Sequence, residues 1–238
     1  MSSLTKVVTV TINDLDSNDY LKPSSILDFA QLVASKHADK LGIGFNDFIK
    51  KDLIWVVVRN YFEVIKPVQN PDTLKVMTYP TKNKFVEYPR NYIIYDENNE
   101  EIIKGKSIWM IYNTKTKEVI MDNFKELEND DLKDVFDFRI KKLPNIDFKE
   151  LDYYNDVMIS QSMCDHNKHL NNTRSLDFYI DVYEPKVNEI VKKFQIEYVK
   201  QVYKGDLISL YKYRKDNLNY LVGYRKNELV FCIMIEYF

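Results

Sequence analysis

The chain has 238 residues, of which 45% are apolar and 14% aromatic, which is enough for one large domain or two of about half that size. Its 34 basic and 36 acidic residues nearly cancel, which argues against a nucleic-acid binder, because such proteins take most of their affinity from a basic face. The two cysteines, Cys164 and Cys232, are too few for a disulfide framework or a metal cluster, and we expect a reduced, cytoplasmic protein.

The start of the chain, residues 1–14, lacks the apolar core of a signal peptide, so we expect no targeting segment. The longest apolar run, Leu229–Ile235, is far shorter than the roughly 20 residues that cross a bilayer, and we predict no membrane span. The five glycines form neither G-x-G-x-x-G nor a phosphate-binding loop. We therefore predict no nucleotide, no metal and no other cofactor.

Patterns in the first half predict one strand, one helix and then several antiparallel strands. The helix, about Ser25–Leu41, has apolar residues three or four positions apart, with Gly42 as its stop. Its stripe includes His37, which we interpret as a core histidine. The predicted strands, rich in Val, Ile, Tyr and Trp, are Lys6–Ile12, Leu53–Val64, Leu74–Tyr79 and a hairpin of Tyr92–Tyr95 with Ile102–Tyr112. A charged segment follows, and within it we place a linker at 126–148.

The second half begins with a predicted strand, Val157–Met163, followed by a turn and a helix. This helix starts after the capping residue types Asn171–Thr173 and ends before Pro185. The half finishes with a strand hairpin that turns near Lys226 and Asn227.

Short matches relate the two halves. Leu27-Asp28-Phe29 recurs as Leu176-Asp177-Phe178, an offset of 176 − 27 = 149 positions. A second set recurs at an offset of 197 − 63 = 134: Glu63, Lys66, Val68 and Asp72 as Glu197, Lys200, Val202 and Asp206. The offset falls by 149 − 134 = 15, so the first half has 15 more residues than the second between its helix and its next long strand. We place this surplus in a loop at Ile43–Asp52, which could cover a pocket. We interpret the halves as a duplication, each half being a curved antiparallel sheet wrapped around one long helix, as in a hotdog unit.

A short turn just before the second helix concentrates polar chemistry. Asp165, Asn167 and His169 are spaced by two, which in an extended or turn backbone directs their side chains the same way, so that they could share one cavity. A histidine is the usual proton carrier near neutral pH, an amide can hold a carbonyl or a water, and a helix N-terminus stabilises developing negative charge. These groups could direct water at a carbonyl. The alternative is a helix cap with a solvated loop, but two of the three histidines, His166 and His169, lie here.

The same turn, Asp165-x-Asn167-x-His169-x-Asn171-Asn172, resembles the catalytic signature of the acyl-ACP thioesterases. These enzymes are built of two hotdog domains and hydrolyse the thioester that links a fatty acyl chain to acyl carrier protein. The resemblance extends through most of the chain, with further landmarks at Leu53–Val56, Arg90, Ser107, Trp109, Asn113, Thr116 and Glu197–Tyr198. It implies an α+β fold of two tandem hotdog domains, residues 1–125 for the acyl-chain pocket and 149–238 for the catalytic motif.

The resemblance also implies roles for individual residues. His169 helps to activate the hydrolytic water, Asn167 orients substrate or water, and Asp165 sets the local hydrogen bonding and charge. The thioester carbonyl is expected against the helix N-terminus. Substrate contacts are expected at Asn171 and at Trp55, since the first domain lines the acyl tunnel in this family.

The chain departs from the family at two adjacent positions. Val202 stands where a cysteine nucleophile has sometimes been proposed, so water attack is the expected route. Gln201 replaces the usual glutamate, and because an amide cannot take a proton, base work must fall on His169 or Asp165. Three explanations remain open: a slower hydrolase, a water held by Gln201 and activated by His169, or an acyl-binding protein without turnover. We expect Gln201→Glu to raise turnover, whereas a loss would give the amide a role of its own.

The leading hypothesis is hydrolysis of fatty acyl-ACP, which releases a free fatty acid and the carrier. The alternatives are an acyl-CoA thioesterase and a non-catalytic acyl-binding protein. The expected partner is an acidic acyl carrier protein. A run of basic residues near the second domain could attract this carrier by charge, or it could be ordinary solvated surface. Its members are Lys192, Lys193, Lys200 and Lys204. No nucleic acid is expected as a partner, and the protein would be a monomer or a homodimer.

Overall fold

A computed structural model describes residues 3–121, 127 and 132–238 of the chain. The chain divides into two compact units, Met1–Ile140 and Lys141–Phe238. The division falls within the predicted linker at 126–148, part of which lies outside the described residues.

The first unit is one antiparallel sheet with a long helix. Its elements are β1 Leu4–Thr9, α1 Pro23–Lys40, α2 Phe45–Ile49, β2 Leu53–Val64, β3 Thr73–Pro80, β4 Tyr88–Tyr95, β5 Glu101–Asn113 and β6 Glu118–Ile120. The strands lie in the order β1–β3–β4–β5–β2, and β6 pairs with β5. Helix α1 packs against β1 and β3.

The sequence of α1 explains where this helix begins and ends. It starts at Pro23, which suits the first helical position because its missing N–H would have no partner there. It ends next to Gly42, whose φ of +70° a residue without a side chain adopts at little cost. The predicted apolar stripe is buried, including Ile26, Val33 and the fully enclosed His37.

The second unit repeats this plan. Its elements are β7 Asp152–Met158, α3 Arg174–Tyr183, β8 Val191–Tyr198, β9 Leu207–Lys215, β10 Leu218–Arg225 and β11 Glu228–Tyr237. The strands lie in the order β7–β9–β10–β11–β8, all neighbours antiparallel. This order matches the first unit strand for strand, as the predicted duplication requires. The hairpin of β10 and β11 turns at Lys226 and Asn227, as predicted.

The first strand of each unit ends earlier than predicted. The strand predicted at Val157–Met163 is wrong in position, since β7 ends at Met158 and Gln161–Met163 form a short 3₁₀ helix. The cause is pairing: Met158 lies opposite Leu207, where β9 begins, so β9 offers no partner beyond it. In the first unit, β1 ends at Thr9 and a 3₁₀ helix forms at Ile12–Asp14.

No helix in the described ranges of the chain is both long and apolar enough to cross a membrane.

Candidate active site

The polar turn before α3 is closed by its own backbone. The Asp165 N–H donates to the His169 carbonyl at 2.8 Å, and the Lys168 N–H donates to the Asp165 carbonyl at 3.0 Å. Lys168 has a φ of +67°, the left-handed conformation that lets the chain reverse. A β-bridge between Cys164 and Leu170 joins the two ends. The turn is therefore a small closed loop of defined shape.

The Asp165 carboxylate faces the amides of this loop. Its Oδ1 accepts hydrogen bonds from the N–H groups of Asn167, at 2.8 Å, and His169, at 3.2 Å. A short side chain that binds its own backbone two residues on is a common way to stabilise a turn. Asp165 therefore fixes the backbone position from which His169 projects, while the Asn167 side chain is exposed at the tip.

The His169 side chain is half-buried and lies against a second segment, residues 201–203. Its ring contacts the ring of Tyr203, with centroids 4.7 Å apart and an angle of 58° between planes. A backbone bridge pairs the same two residues, and the Leu170 N–H donates to the Val202 carbonyl at 2.8 Å. The imidazole is thus held by both backbone and side-chain contacts.

Tyr203 also contacts Gln201, the residue that replaces the family glutamate. The Tyr203 hydroxyl donates to Gln201 Oε1 at 2.8 Å. The structure thereby brings His169 and Gln201 to the same tyrosine side chain. Tyr203 was not predicted from the sequence. The repeat offsets relate Tyr20 to His169 and Gln69 to Tyr203, and Tyr20 forms a β-bridge with Gln69 in the first unit just as His169 does with Tyr203 in the second.

The segment that carries Gln201 and Tyr203 is anchored by an ion pair. Asp206 Oδ2 accepts from the Tyr203 N–H at 2.8 Å and from Arg225 Nη1 at 2.6 Å. Arg225 Nη1 also donates to the Gln201 carbonyl at 3.2 Å. Burial acts to raise the pKa of Asp206, but the bonds from Tyr203 and Arg225 outweigh it and leave the pKa below its ordinary value. Asp206 is therefore an anchor that stays ionised near neutral pH.

Helix α3 starts where predicted, directly after Thr173, but the Thr173 side chain forms no capping hydrogen bond to the first-turn amides, so that part of the prediction is wrong. Asn171 Oδ1 accepts from both the N–H and the hydroxyl of Thr173, each at 3.3 Å. The Asn172 carbonyl accepts from the hydroxyls of Ser175 and Tyr198, each at 2.8 Å. The amide oxygen of Asn171 is thus engaged at the start of the helix.

The cysteines and Val202 offer no activated thiol to the site. Burial raises the pKa of the Cys232 thiol to about 12, with a further rise from Glu197, so this thiol is protonated at neutral pH. The Cys164 thiol donates to the Ser160 carbonyl at 3.5 Å. Val202 is buried, so the position that can hold a cysteine in the family is filled by an apolar side chain.

Trp55, the predicted substrate contact in the first unit, anchors the surplus loop. Its indole N–H donates to the Ile43 carbonyl at 2.8 Å. Its ring stacks on Phe48 of α2 at 4.9 Å and meets the edge of Tyr88 at 5.3 Å. The loop therefore encloses an apolar cluster with Trp55 at its border, and the role of Trp55 toward a substrate stays a prediction.

Residues 2–126 match the family model described as the acyl-ACP thioesterase N-terminal domain. The chain belongs to the acyl-ACP thioesterase family. The predicted family is thereby confirmed by a match that covers more than half of the chain, although the matched residues do not include the turn before α3.

Curated plant proteins are similar to this acyl-ACP thioesterase family member. A chloroplastic acyl-[acyl-carrier-protein] hydrolase of Cuphea viscosissima is 28% identical over 187 residues. A chloroplastic palmitoyl-acyl carrier protein thioesterase of Cuphea hookeriana is 28% identical over 178 residues. Each match covers 69% of this chain and 43% of the relative, so the chain spans less than half the length of the curated relatives it matches.

Solved acyl-ACP thioesterase structures share the fold. The 12:0-ACP thioesterase from Umbellularia californica has a TM-score of 0.88 at 17% identity, covering 99% of this chain and 97% of the other. An acyl-ACP thioesterase from Bacteroides thetaiotaomicron has a TM-score of 0.85 at 18% identity, covering 99% and 98%. These likenesses establish the fold and confirm the predicted α+β class with two hotdog domains.

Proposed function

We propose that this acyl-ACP thioesterase family member hydrolyses the thioester of a fatty acyl-ACP with an activated water, releasing a free fatty acid and the carrier. The observation that supports this most is the placement of His169. Its backbone is fixed by the turn that Asp165 stabilises, and its half-buried ring is held against Tyr203. A positioned imidazole can take a proton from water near neutral pH.

In the proposed reaction, His169 takes one proton from a water as the water oxygen attacks the thioester carbonyl. The tetrahedral intermediate then collapses, the carbon–sulfur bond breaks, and the proton returns to the sulfur of the carrier. Asn167, exposed at the tip of the turn, orients substrate or water. The N-terminus of α3 favours the negative charge that develops on the carbonyl oxygen. Asn171, at this helix start, and Trp55, in the first unit, are the proposed substrate contacts.

The proposed partner is an acyl carrier protein, with coenzyme A as the alternative carrier. The basic run predicted to dock the carrier separates into two pairs. Lys192 and Lys193 both contact Glu236, whereas Lys200 and Lys204 are exposed and form no ion pair with a residue of the described ranges. The second pair is therefore the better candidate for attracting an acidic partner. We place the protein in the cytoplasm, as a monomer or a homodimer, and its two free cysteines are consistent with a reducing compartment.

The test replaces His169 with alanine and uses His166, its neighbour in the same turn, as the matched control. We expect His169→Ala to lower kcat on acyl-ACP by about 100-fold or more, because it removes the base. The kcat of His166→Ala should stay within about twofold of the wild-type value. Circular dichroism and the melting temperature should match the wild type for both. An unaltered rate in His169→Ala would reject this site.

The same assay separates the alternatives. Rates on acyl-ACP and acyl-CoA with one acyl chain identify the preferred carrier. Stoichiometric acyl-ACP binding by the wild type without release of thiol would favour the acyl-binding hypothesis. This hypothesis is tested because Gln201 replaces the family glutamate and an amide cannot take a proton.

A further inference from the structure

We propose that Tyr203 is a positioning residue that holds the Gln201 amide with its N–H₂ group free to donate to the thioester carbonyl oxygen. The inference rests on the proposed hydrolysis and goes beyond it by giving the departure from the family pattern a chemical role. Gln201 is then a donor that stabilises the intermediate, instead of a weakened substitute for a base.

The contacts of Tyr203 define this arrangement. Its ring contacts the ring of His169 at a tilt of 58°, and its hydroxyl donates to Gln201 Oε1. Its backbone N–H is tied to Asp206, which Arg225 holds in turn. With 44% of its surface exposed, Tyr203 is not a core residue whose position is set by packing alone. Its side chain connects the proposed base to the amide.

The first unit contains the same turn and serves as an internal comparison. Asp16 Oδ1 accepts from the N–H groups of Asn18, at 2.8 Å, and Tyr20, at 3.0 Å, which is the pattern of Asp165. Tyr20 forms a β-bridge with Gln69, the counterpart of the bridge between His169 and Tyr203. The numbering agrees with both repeat offsets, since 20 + 149 = 169 and 69 + 134 = 203.

The side chains in that comparison turn are different. The counterpart of Tyr203 is Gln69, and the counterpart of Gln201 is Pro67, since 67 + 134 = 201. Proline has no side-chain hydrogen-bonding group, so no equivalent of the bond between Tyr203 and Gln201 can form there. The backbone of the turn is therefore built without a tyrosine at the first of these positions and without an amide at the second, and the fold does not explain why the second unit has this pair.

The chemistry of a carboxamide gives the pair its function. A glutamine side chain has one acceptor oxygen and one N–H₂ group with two donor protons. The Tyr203 hydroxyl binds one of the two lone pairs of this oxygen and so fixes which end of the amide faces the tyrosine, and the N–H₂ group is the end that can donate to a ligand. A single placed donor of this kind is worth about 10²–10³ in kcat when it binds the oxyanion of an acyl-transfer intermediate. A carboxylate at the same place would repel that oxyanion.

The first experiment tests the contacts without any substrate. NMR spectra of the imidazole groups contain signals of three histidines only, and the His169→Gln variant assigns the one of interest. Tyr203→Ala should shift the His169 ring protons by removing the ring current, while Tyr203→Phe leaves them in place. The side-chain N–H₂ signal of Gln201, assigned with Gln201→Ala, should move in Tyr203→Phe. The control is Tyr154→Phe, which removes a phenol of similar exposure, 39%, from β7 of the same unit and should move neither signal.

The second experiment measures kinetics on acyl-ACP. Tyr203→Phe should lower kcat about tenfold and leave KM within about twofold, because orientation is lost while the amide remains. Gln201→Ala should lower kcat more, and the double variant Gln201→Ala/Tyr203→Phe should be no slower than Gln201→Ala alone. Gln201→Glu should also lower kcat, the reverse of the expectation drawn from the family glutamate.

Three results would overturn the inference. They are a Gln201 N–H₂ signal that does not move in Tyr203→Phe, a double variant whose loss of kcat is the product of the two single losses, or a rise of kcat in Gln201→Glu. Failure of the proposed function is distinguishable from these results. A wild type that releases no thiol would reject hydrolysis, and with it the donor role, while the NMR shifts would still decide whether Tyr203 positions the amide.

Discussion

Asp165 and Asp16 bind their turns in the same way, although only one of the two turns contains a histidine. Each carboxylate accepts from the N–H groups two and four residues on. The interaction needs a hydrogen-bond acceptor at this place and does not require a base. We infer that Asp165 contributes to hydrolysis by shaping the backbone that carries His169.

This inference predicts different effects for two substitutions of Asp165. Asp165→Asn keeps an Oδ1 acceptor for both amides, so we expect kcat on acyl-ACP to stay within about fivefold of the wild type. Asp165→Ala removes both bonds, and we expect a loss of about 10- to 100-fold, because the backbone that carries His169 is no longer fixed and part of the roughly 10²–10⁴-fold contribution of a positioned base is lost. Asp16→Ala is the control that loses the equivalent bonds in the first unit, and its kcat should stay near that of the wild type. Equal losses in Asp165→Asn and Asp165→Ala would show that the charge itself is needed.

At this scale the sequence predicted the position of the polar turn and missed part of its geometry. The side chains of Asp165, Asn167 and His169, spaced by two, point the same way only if the backbone alternates regularly, as it does in a strand. Lys168 is left-handed and the loop closes on itself, so the alternation does not hold. Tyr203 comes from a segment more than 30 positions away, and short-range patterns carry no signal for it.

Among the elements, the segment that ends the first unit is fastened by a partly buried polar cluster. Asp134 accepts from Thr81 Oγ1 at 2.7 Å and Asn91 Nδ2 at 3.1 Å, and it pairs with Lys106 at 2.6 Å. The Lys106 side chain is only 7% exposed, so its charge depends on this partner. Burial acts to raise the pKa of Asp134, but the bonds from Lys106, Thr81 and Asn91 outweigh it and lower the pKa.

The direction of this pKa shift predicts how stability depends on pH. A carboxyl whose pKa is lower in the folded state stabilises the protein fully above its unfolded pKa of about 4, and this contribution is lost as pH falls through the folded pKa. Asp134→Asn should therefore lower the free energy of unfolding at pH 7 by about 1–2 kcal/mol, a figure reduced because the Asp134 side chain is 35% exposed and partly screened. In denaturant unfolding, the gap between variant and wild type should narrow below about pH 4.

An exposed ion pair supplies the matched control for that experiment. Asp52 pairs with Lys115, whose side chain is 77% exposed, so Asp52→Asn should change the free energy of unfolding by less than about 1 kcal/mol. A gap for Asp134→Asn that stays constant from pH 7 to pH 3 would contradict the role assigned to its charge.

The long elements could be predicted from sequence, whereas their ends and the short elements could not. The strand Leu53–Val64 has the predicted limits, because nine of its twelve residues are apolar and rich in β-branched and aromatic side chains. The five-residue helix α2 was missed, since its stability comes from Phe48 packing under Trp55 and not from a periodic pattern. The 3₁₀ helices after β1 and β7 were missed because strand ends are set by where the neighbouring strand begins.

At the scale of the whole molecule, the duplication separates what the fold needs from what the proposed reaction needs. The strand order and the turn geometry are common to both units, whereas the imidazole, the phenol and the free amide are found together at the turn of the second unit only, among the described residues. The charges near this turn are also a local feature, because the chain as a whole has nearly equal numbers of basic and acidic residues. Lys200 and Lys204 flank Gln201 and Tyr203, so a basic pair borders the proposed site.

That placement predicts charge-dependent docking of an acidic carrier. Lys200→Gln/Lys204→Gln should raise KM for acyl-ACP by about fivefold at low salt, since two exposed ion pairs together are worth roughly 1 kcal/mol. The effect should shrink at about 0.5 M salt, where charges are screened within a few ångströms. Turnover of a short neutral acyl thioester should not change, because the lysines have no part in the chemistry. Lys192→Gln/Lys193→Gln removes the same charge from two residues that both pair with Glu236, which offsets one of their two charges, and its KM should rise much less than that of the first double variant. Equal increases in KM for the two double variants would show that net charge, and not the pair beside the site, attracts the carrier.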